Sequence, residues 1–184
     1  MYRWSFGRGD FVKKAVKYTG IVAVMIAGLF LSLYFNNAIG TPKAKIEKDA
    51  RISHKIDSSW QVAKSTTDAM SAMLFYDKDS SNYIFSIYEN RKGLSFGYFF
   101  RSGGSTNTEN EGIAEYRAEG RQEKAYLSMN KQQVAKIEID NGNTVEIIDI
   151  DHTKPFAIVL PVGSGAIKIY DKDGSVLPTI PQAL

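Results

Sequence analysis

The sequence predicts an all-β antiparallel sandwich of eight to ten short strands, preceded by a transmembrane helix and a short helical stem. Three features support this prediction: an uncharged apolar segment near the N-terminus, a polar segment after it with helical charge spacing, and a long region of short β-type runs. The expected organisation is a basic cytoplasmic tail at 1–17, a signal-anchor helix at 18–40, a stem at 41–57 and an extracytoplasmic domain at 58–184.

Charge and cysteine content restrict the classes of function. The chain has a formal net charge of +3, but residues 58–184 carry 13 Lys and Arg against 16 Asp and Glu, so the predicted domain is mildly acidic. A nucleic-acid-binding domain carries its own basic surface, which argues against nucleic acid as a partner. The chain contains no cysteine, which excludes disulfides, a thiolate nucleophile and any cysteine-ligated metal.

Residues 18–42 contain no charged side chain, and the run "IVAVMIAGLFLSLYF" at Ile21–Phe35 is almost wholly apolar. A helix from Tyr18 to Ile39 would be about 33 Å long, enough to cross the hydrocarbon core of a bilayer. Aromatic residues near both ends suit the two membrane interfaces. The residues expected in contact with lipid include Tyr18, Ile21, Leu29, Leu33 and Tyr34.

Two interpretations of this segment remain open, an uncleaved signal anchor and a signal peptide that is removed. The apolar run exceeds the usual length of a signal-peptide core, which favours the anchor. Cleavage near Gly40, after the small residues that begin at Ala38, would instead release a secreted protein. Both flanks of the run carry five Lys and Arg, but Lys13, Lys14 and Lys17 lie closest to it. We therefore expect the N-terminus inside and the main domain outside.

Small residues recur at four-residue spacing within the predicted helix, Ala23 with Ala27 and Gly28 with Ser32. Such spacing lets two helices approach closely. It makes a second copy of the chain, or another subunit of a membrane assembly, a candidate partner. The same spacing also arises by chance in a helix rich in alanine and glycine.

The stem begins at Thr41-Pro42, which resembles a helix N-cap followed by proline at the first helical position. Glu47 precedes Arg51 by four residues, the favourable orientation for a helical ion pair. Because the segment has few apolar residues, we expect a solvated helical stem at 42–56 that holds the domain off the membrane.

From residue 60 onward the sequence has strand periodicity, with turn residues every eight to twelve positions. The adjacent Ile147 and Ile148 in one run predict a β-bulge or a strand covered on both faces. "SGGSTNTENEG" at 102–112 is expected to be a polar loop. The predicted strands are 60–64, 72–76, 83–89, 94–100, 113–117, 125–129, 134–140, 144–150, 156–162 and 166–170.

The tetrapeptide "YDKD" occurs twice, at 76–79 and 170–173, each time at the end of a predicted strand. Aspartate followed by glycine or serine suits a type I turn with a left-handed residue after it. That residue would be Gly174 in the second copy and Ser80 in the first, so the first loop should be one or two residues longer. The flanking sequences differ, which does not support an internal duplication.

A calcium site is the alternative interpretation of the same tetrapeptides. Its candidate ligands are Asp77, Asp79, Asp171 and Asp173, and Asp149 with Asp151 is a third acidic pair. Each fragment lacks the remaining oxygens of a calcium-binding loop, so a turn is favoured over a metal site.

No catalytic signature is present. A hydrolase would have to use His152 with Asp149 or Asp151, and no nucleophile motif accompanies them. Glu115 and Glu119 are paired acids of the kind that glycosidases use, but scattered acids on strands usually lie on solvated faces. We therefore expect a non-enzymatic protein without a cofactor, and the His152 hydrolase is kept as an alternative.

The run "LSFGYFF" places Leu94, Phe96, Tyr98 and Phe100 on one face of a predicted strand, where we expect them to join the core. The alternative is an exposed aromatic platform for a glycan or peptide. Its candidate residues are Tyr83, Tyr88, Tyr98 and Tyr116.

Together these features predict a membrane-anchored interaction module outside the cell, which binds a protein or a cell-envelope polymer. The alternatives are a subunit of a membrane assembly that contacts its partners through the transmembrane helix, and the hydrolase.

Overall fold

The computed structural model describes residues 8–36, 38–91, 96–105, 112–117, 120, 122–163 and 165–183. The chain divides into two units, Met1–Ile39 and Gly40–Leu184, which are described separately below.

The first unit contains one long helix, α1, at Arg8–Phe35. Its apolar part, Ala15–Phe35, has 21 residues with a mean hydropathy of 1.9, and it is about 31 Å long at the standard helical rise. This helix is long and apolar enough to cross a membrane, and a signal sequence near an N-terminus has the same properties. The helix ends at Phe35, whereas the predicted segment continued to residue 40.

The second unit begins with a short helical segment, a 3-10 turn at Lys43–Lys45 followed by α2 at Ile46–Ser53. A helix was predicted here, but as a solvated stem. Ile46 is 2% exposed and Ala50 is fully buried, because this face of α2 packs on a β-sheet together with Ile56. The prediction of a solvated stem is therefore corrected: α2 belongs to the β domain.

Twelve strands are present among the described residues, and they form three four-stranded sheets. The N-terminal sheet has the order β1-β2-β3-β4, the middle sheet β12-β5-β6-β9 and the C-terminal sheet β11-β10-β7-β8. The strands are β1 Gln61–Thr66, β2 Met70–Tyr76, β3 Tyr83–Asn90, β4 Tyr98–Ser105, β5 Ile113–Arg117, β6 Glu123–Ser128, β7 Val134–Asp140, β8 Val145–Asp149, β9 Phe156–Pro161, β10 Ala166–Asp171, β11 Val176–Leu177 and β12 Thr179–Ala183.

The alternation of side chains along β2 shows how the layers are arranged. Met70 and Leu74 point to one face and contact the middle sheet, whereas Met73 and Phe75 point to the other face and contact α2. Every residue of β2 is buried, because both of its faces are covered.

The middle sheet is also covered on both faces. Ala125 of β6 and Val159 of β9 contact the N-terminal sheet, and Tyr126 and Leu160 of the same strands contact the C-terminal sheet. The domain core is thus divided into three apolar clusters: one between α2 and the N-terminal sheet, and one on each side of the middle sheet.

The pairing is mostly antiparallel, as predicted, but β12 runs parallel to β5. Neither β11 nor β12 was predicted. β8 pairs with β7 in continuous register and forms an edge, so the bulge or double covering expected at Ile147 and Ile148 is corrected. β4 extends to Ser105, so the predicted polar loop starts later. The described residues form mostly antiparallel sheets after an apolar helix, and the sandwich arrangement itself stays a prediction.

Candidate functional site

The tyrosines of the predicted platform are not on the surface. Tyr88, Tyr98 and Tyr116 are buried in the three-layered core, and Tyr83 is half-buried. Since an exposed platform requires accessible ring faces, this alternative is corrected for the three buried residues. Tyr88 and Tyr98 are core residues because one face of the N-terminal sheet lies under α2. Tyr116 is buried between the N-terminal and middle sheets.

The expected core face of the aromatic run is also corrected in part. Tyr98 is buried, but Phe96 and Phe100 are exposed, and Leu94 lies outside the described residues. Gly97, which has φ +91°, lies between Phe96 and Tyr98 and interrupts the alternation there. Phe100 stays in regular register with Tyr98, and its ring lies 5.6 Å from that of Tyr88, so it lies at the exposed edge of the same face.

The polar group of Tyr88 is satisfied within the core. Its hydroxyl donates a hydrogen bond to Oδ2 of Asp49 in α2 at 2.8 Å. Burial, together with the negative charge of Asp49, raises the pKa of Tyr88 far above its ordinary value. The Tyr98 hydroxyl donates to the backbone oxygen of Thr67. Both hydroxyls therefore hold elements of the domain together rather than facing a ligand.

Two of the four predicted tyrosines do meet at an aromatic cleft between β3 and β5. The rings of Phe85 and Tyr116 lie 5.0 Å apart, and Tyr83 lines the same cleft. Burial, and then the neighbouring Tyr83, raises the pKa of Tyr116 to about 12. The cleft encloses only about 60 Å³, which is room for a small apolar group rather than for a sugar ring.

Both "YDKD" segments form turns, in agreement with the favoured interpretation. The backbone N–H of Asp77 donates to the carbonyl of Asn82, five residues on, and that of Asp171 donates to Ser175, four residues on. The first loop is thus one residue longer. Ser80 and Gly174 have φ values of +53° and +85°, so both occupy the left-handed position that was predicted for them.

The carboxylates of these turns are occupied by the turns themselves. Asp77 accepts hydrogen bonds from Ser81 and Asn82, and Asp171 accepts from the backbone N–H groups of Asp173 and Ser175. Within the described part of the chain, no three His, Asp or Glu side chains form a group that could hold a metal.

The residues of the predicted hydrolase do not form a catalytic arrangement. His152 is exposed in a turn, and the adjacent Asp151 bonds instead to Thr153 and Lys154. Glu115 forms an ion pair with Lys124 at 2.5 Å and accepts a hydrogen bond from Thr179. Glu119, its predicted partner, lies outside the described residues.

An accessible apolar surface of the domain lies on the edge strand β8. Val145 and Ile147 are 53% and 56% exposed, and β8 pairs with β7 alone among the described strands. The apolar pair Ile147-Ile148 was predicted to mark a β-bulge or a strand covered on both faces. The structure places only Ile148 against the core. An edge with free backbone groups and apolar side chains can pair with another strand.

The described residues define a mostly antiparallel β domain that follows an apolar helix long enough to cross a membrane. Comparisons with protein-family models, curated proteins and solved structures found no match to this chain. The chemistry of the described residues is accordingly the basis for the function proposed below.

Proposed function

We propose that this protein is a single-pass membrane protein whose β-sandwich domain lies outside the cell and binds a protein partner by strand addition to β8. The anchor part of the proposal is supported by α1, whose apolar length matches a bilayer core. The lysines at 13, 14 and 17 support an N-terminus inside the cell.

The open edge of β8 is the observation that carries the binding proposal. The backbone N–H of Asn141 donates to the carbonyl of Thr144, and the N–H of Ile150 donates to the carbonyl of Ala135. Between these two ends of the β7–β8 ladder, hydrogen-bonded residue pairs alternate with pairs that form no hydrogen bond to each other. By this alternation the N–H and C=O groups of Val145, Ile147 and Asp149 point away from β7. Three consecutive outward positions can pair with a short extended segment.

The side chains of the same strand define the partner's chemistry. Val145 and Ile147 lie on the outer face of the sheet, where a paired strand would place its own alternate side chains beside them. An extended peptide with apolar residues at every second position therefore fits this edge. A cell-envelope polysaccharide lacks the regular backbone N–H and C=O groups of such a ladder, which favours protein as the partner.

Proline at position 147 tests the role of the edge directly. Ile147→Pro removes an outward N–H but leaves the β7 hydrogen bonds in place, whereas Ile147→Thr keeps the N–H and shortens the side chain. Because the chain has no cysteine, Asn143→Cys at the neighbouring turn can carry a single photocrosslinker in native membranes. We expect a crosslinked protein adduct for Asn143→Cys alone and for Asn143→Cys combined with Ile147→Thr. The adduct should be lost when Asn143→Cys is combined with Ile147→Pro.

Recovery of only the monomer from the original background would count against the interaction proposal. An adduct that survives Ile147→Pro would exclude strand addition at β8. The mass of the adduct distinguishes another protein from a second copy of the chain.

The topology is tested separately with the same cysteine variant. An impermeant maleimide added to intact cells is expected to label Asn143→Cys, and the labelled chain is expected to stay with the membrane at full length. A labelled chain in the medium would show cleavage, and labelling only after cell lysis would reverse the proposed orientation.

A further inference from the structure

We infer that the exposed face of α2 binds the anionic headgroup surface of the membrane in which the chain is anchored. This inference rests on the proposed anchoring by α1. It assigns to α2 the task of holding the β domain in one orientation on the lipid surface.

The face is defined by helical spacing. Lys45, Lys48 and Ile52 lie on one side of the helical segment, and Lys55 follows one turn after Ile52. Ile46 and Ala50 lie on the opposite side, against the N-terminal sheet. Burial of that side fixes the basic face outward, so its orientation does not depend on a flexible linker.

The charge of this face is available for a partner. Lys45, Lys48 and Lys55 form no ion pair with any residue that the structure describes, whereas Lys43 pairs with Asp68 at 3.0 Å. Among the acids of α2, Glu47 forms ion pairs with Arg51 at 3.1 Å and Lys64 at 2.6 Å, and Asp49 accepts a hydrogen bond from Tyr88. Three exposed lysines without an ion-pair partner among the described residues form a surface complementary to anionic lipid.

An apolar residue lies in the middle of the lysines. Ile52 is 67% exposed, and it borders a shallow groove with Ala44 and Ile56. A face with basic residues around an exposed aliphatic side chain is typical of helices that lie in the membrane interface, where the aliphatic group enters the acyl boundary. A soluble anionic polymer would use the lysines but would offer nothing apolar to Ile52.

The covalent connection limits the distance between the end of α1 and the start of the β domain. Gly40 donates a hydrogen bond to the carbonyl of Phe96, and Thr41 bonds in both directions with Tyr98, so the domain begins at Gly40. Only residues 36–39 connect it to the end of α1 at Phe35. Four residues between these two points span at most about 18 Å. Electrostatic attraction to lipid acts over a Debye length of about 10 Å, so the tether keeps the domain close to the range of that attraction.

The absence of cysteine allows a single-site measurement on the full chain. Ile52→Cys carries an environment-sensitive fluorophore, and the protein is reconstituted into phosphatidylcholine vesicles with or without phosphatidylglycerol and with doxyl-labelled lipid as quencher. Ile147→Cys is the matched control, since it replaces an isoleucine of similar exposure on the C-terminal sheet. We expect strong quenching at position 52 in phosphatidylglycerol vesicles, weak quenching in phosphatidylcholine alone and weak quenching at 147 in both.

Neutralising the lysines gives the quantitative test. Each lysine near an anionic surface contributes about fivefold to the partition, so Lys45→Gln, Lys48→Gln and Lys55→Gln together should lower the docked-to-free ratio at least tenfold. The inference would be overturned by equal quenching at positions 52 and 147 in phosphatidylglycerol vesicles. It would also be overturned if quenching at position 52 were the same with and without phosphatidylglycerol.

Retention of the chain in the bilayer distinguishes this inference from the anchor on which it rests. Alkaline carbonate should leave the original chain and the triple variant in the vesicle fraction, because α1 is unchanged. A retained chain without quenching at 52 overturns the docking of α2 alone, whereas release of the chain by carbonate overturns the anchoring and the docking together.

Discussion

The replacement of Ile46 by alanine tests whether α2 is part of the β domain or a stem outside it. Ile46 is 2% exposed and contacts the cluster that includes Met73, Phe75 and Tyr88. Removal of a buried isoleucine side chain costs the transfer free energy of three carbon atoms and leaves a cavity, which together amount to about 3 kcal/mol. Ile52→Ala is the same chemical change on the exposed side of the same helix, and it should change the free energy of unfolding by less than about 0.5 kcal/mol.

The difference is measured by urea unfolding of the full chain in neutral detergent. Trp4→Phe leaves Trp60 as the single tryptophan, and Trp60 packs on the cluster beneath α2. With a slope of about 2 kcal/mol per M for a domain of this size, Ile46→Ala should lower the midpoint by about 1.5 M and Ile52→Ala by less than 0.3 M. Equal midpoints for the two variants would show that α2 does not contribute to the domain core, and the correction of the predicted stem would be withdrawn.

Three further predictions test individual turns and one ion pair by the same measurement. Ser80→Gly should stabilise the domain by about 1 kcal/mol and Gly174→Ser should destabilise it by a similar amount, because both positions are left-handed; opposite signs would refute the shared turn geometry. Gly165→Ala should unfold the domain or cost several times more than Gly142→Ala, since both have positive φ but an added Cβ at 165 would lie 1.8 Å from a backbone oxygen of β7; equal costs would contradict that approach. Burial opposes ionisation of Glu115, but hydrogen bonds from Lys124 and Thr179 outweigh it and lower its pKa. Its carboxylate therefore stabilises the fold above its unfolded pKa of about 4.5, and this contribution disappears as the pH falls through the lower folded value; a difference between the original chain and Glu115→Gln that is the same at pH 7 and pH 3 would refute it.

Local sequence patterns were sufficient for elements whose partners are near in the chain. β3, β5 and β7 begin at the predicted residues, and the β7–β8 hairpin turns at Asn141-Gly142, where Gly142 has φ +85°. In these cases the turn residue and the alternating run occur within a dozen positions. Each signal is a property of the local backbone, so no knowledge of the tertiary structure is needed to interpret it.

β12 was missed because its stabilisation is not local. It contains Pro181, which argues against a strand, and its partner β5 lies more than sixty residues earlier in the chain. Proline is tolerated because β12 is the edge of the middle sheet. A parallel edge strand with few apolar residues has no periodicity from which it could be recognised.

The same limitation applies to the candidate site on β8. The pair Ile147-Ile148 shows that two adjacent side chains are apolar, but not which of them the sheet buries. That choice depends on which face of the C-terminal sheet packs against the middle sheet, and Ile148 lies on that face. The strand order adds that β8 is the last strand of its sheet, with nothing paired beyond it among the described residues. The exposed member, Ile147, is the one that strand addition would use, and the packing and the strand order together identify it.

The stem and the glycine-rich segment, which were predicted separately, contact each other in the structure. An added Cβ at Gly103 would lie 2.9 Å from Nε2 of His54, at the end of α2, and 2.7 Å from the backbone oxygen of Phe85. Glycine at 103 therefore permits β4 and the end of α2 to approach each other, rather than breaking the strand. The sequence "SGGS" was predicted as part of a polar loop from its composition alone. Once α2 is placed on the sheet, the glycine becomes a requirement of its packing, and the two segments must be interpreted together.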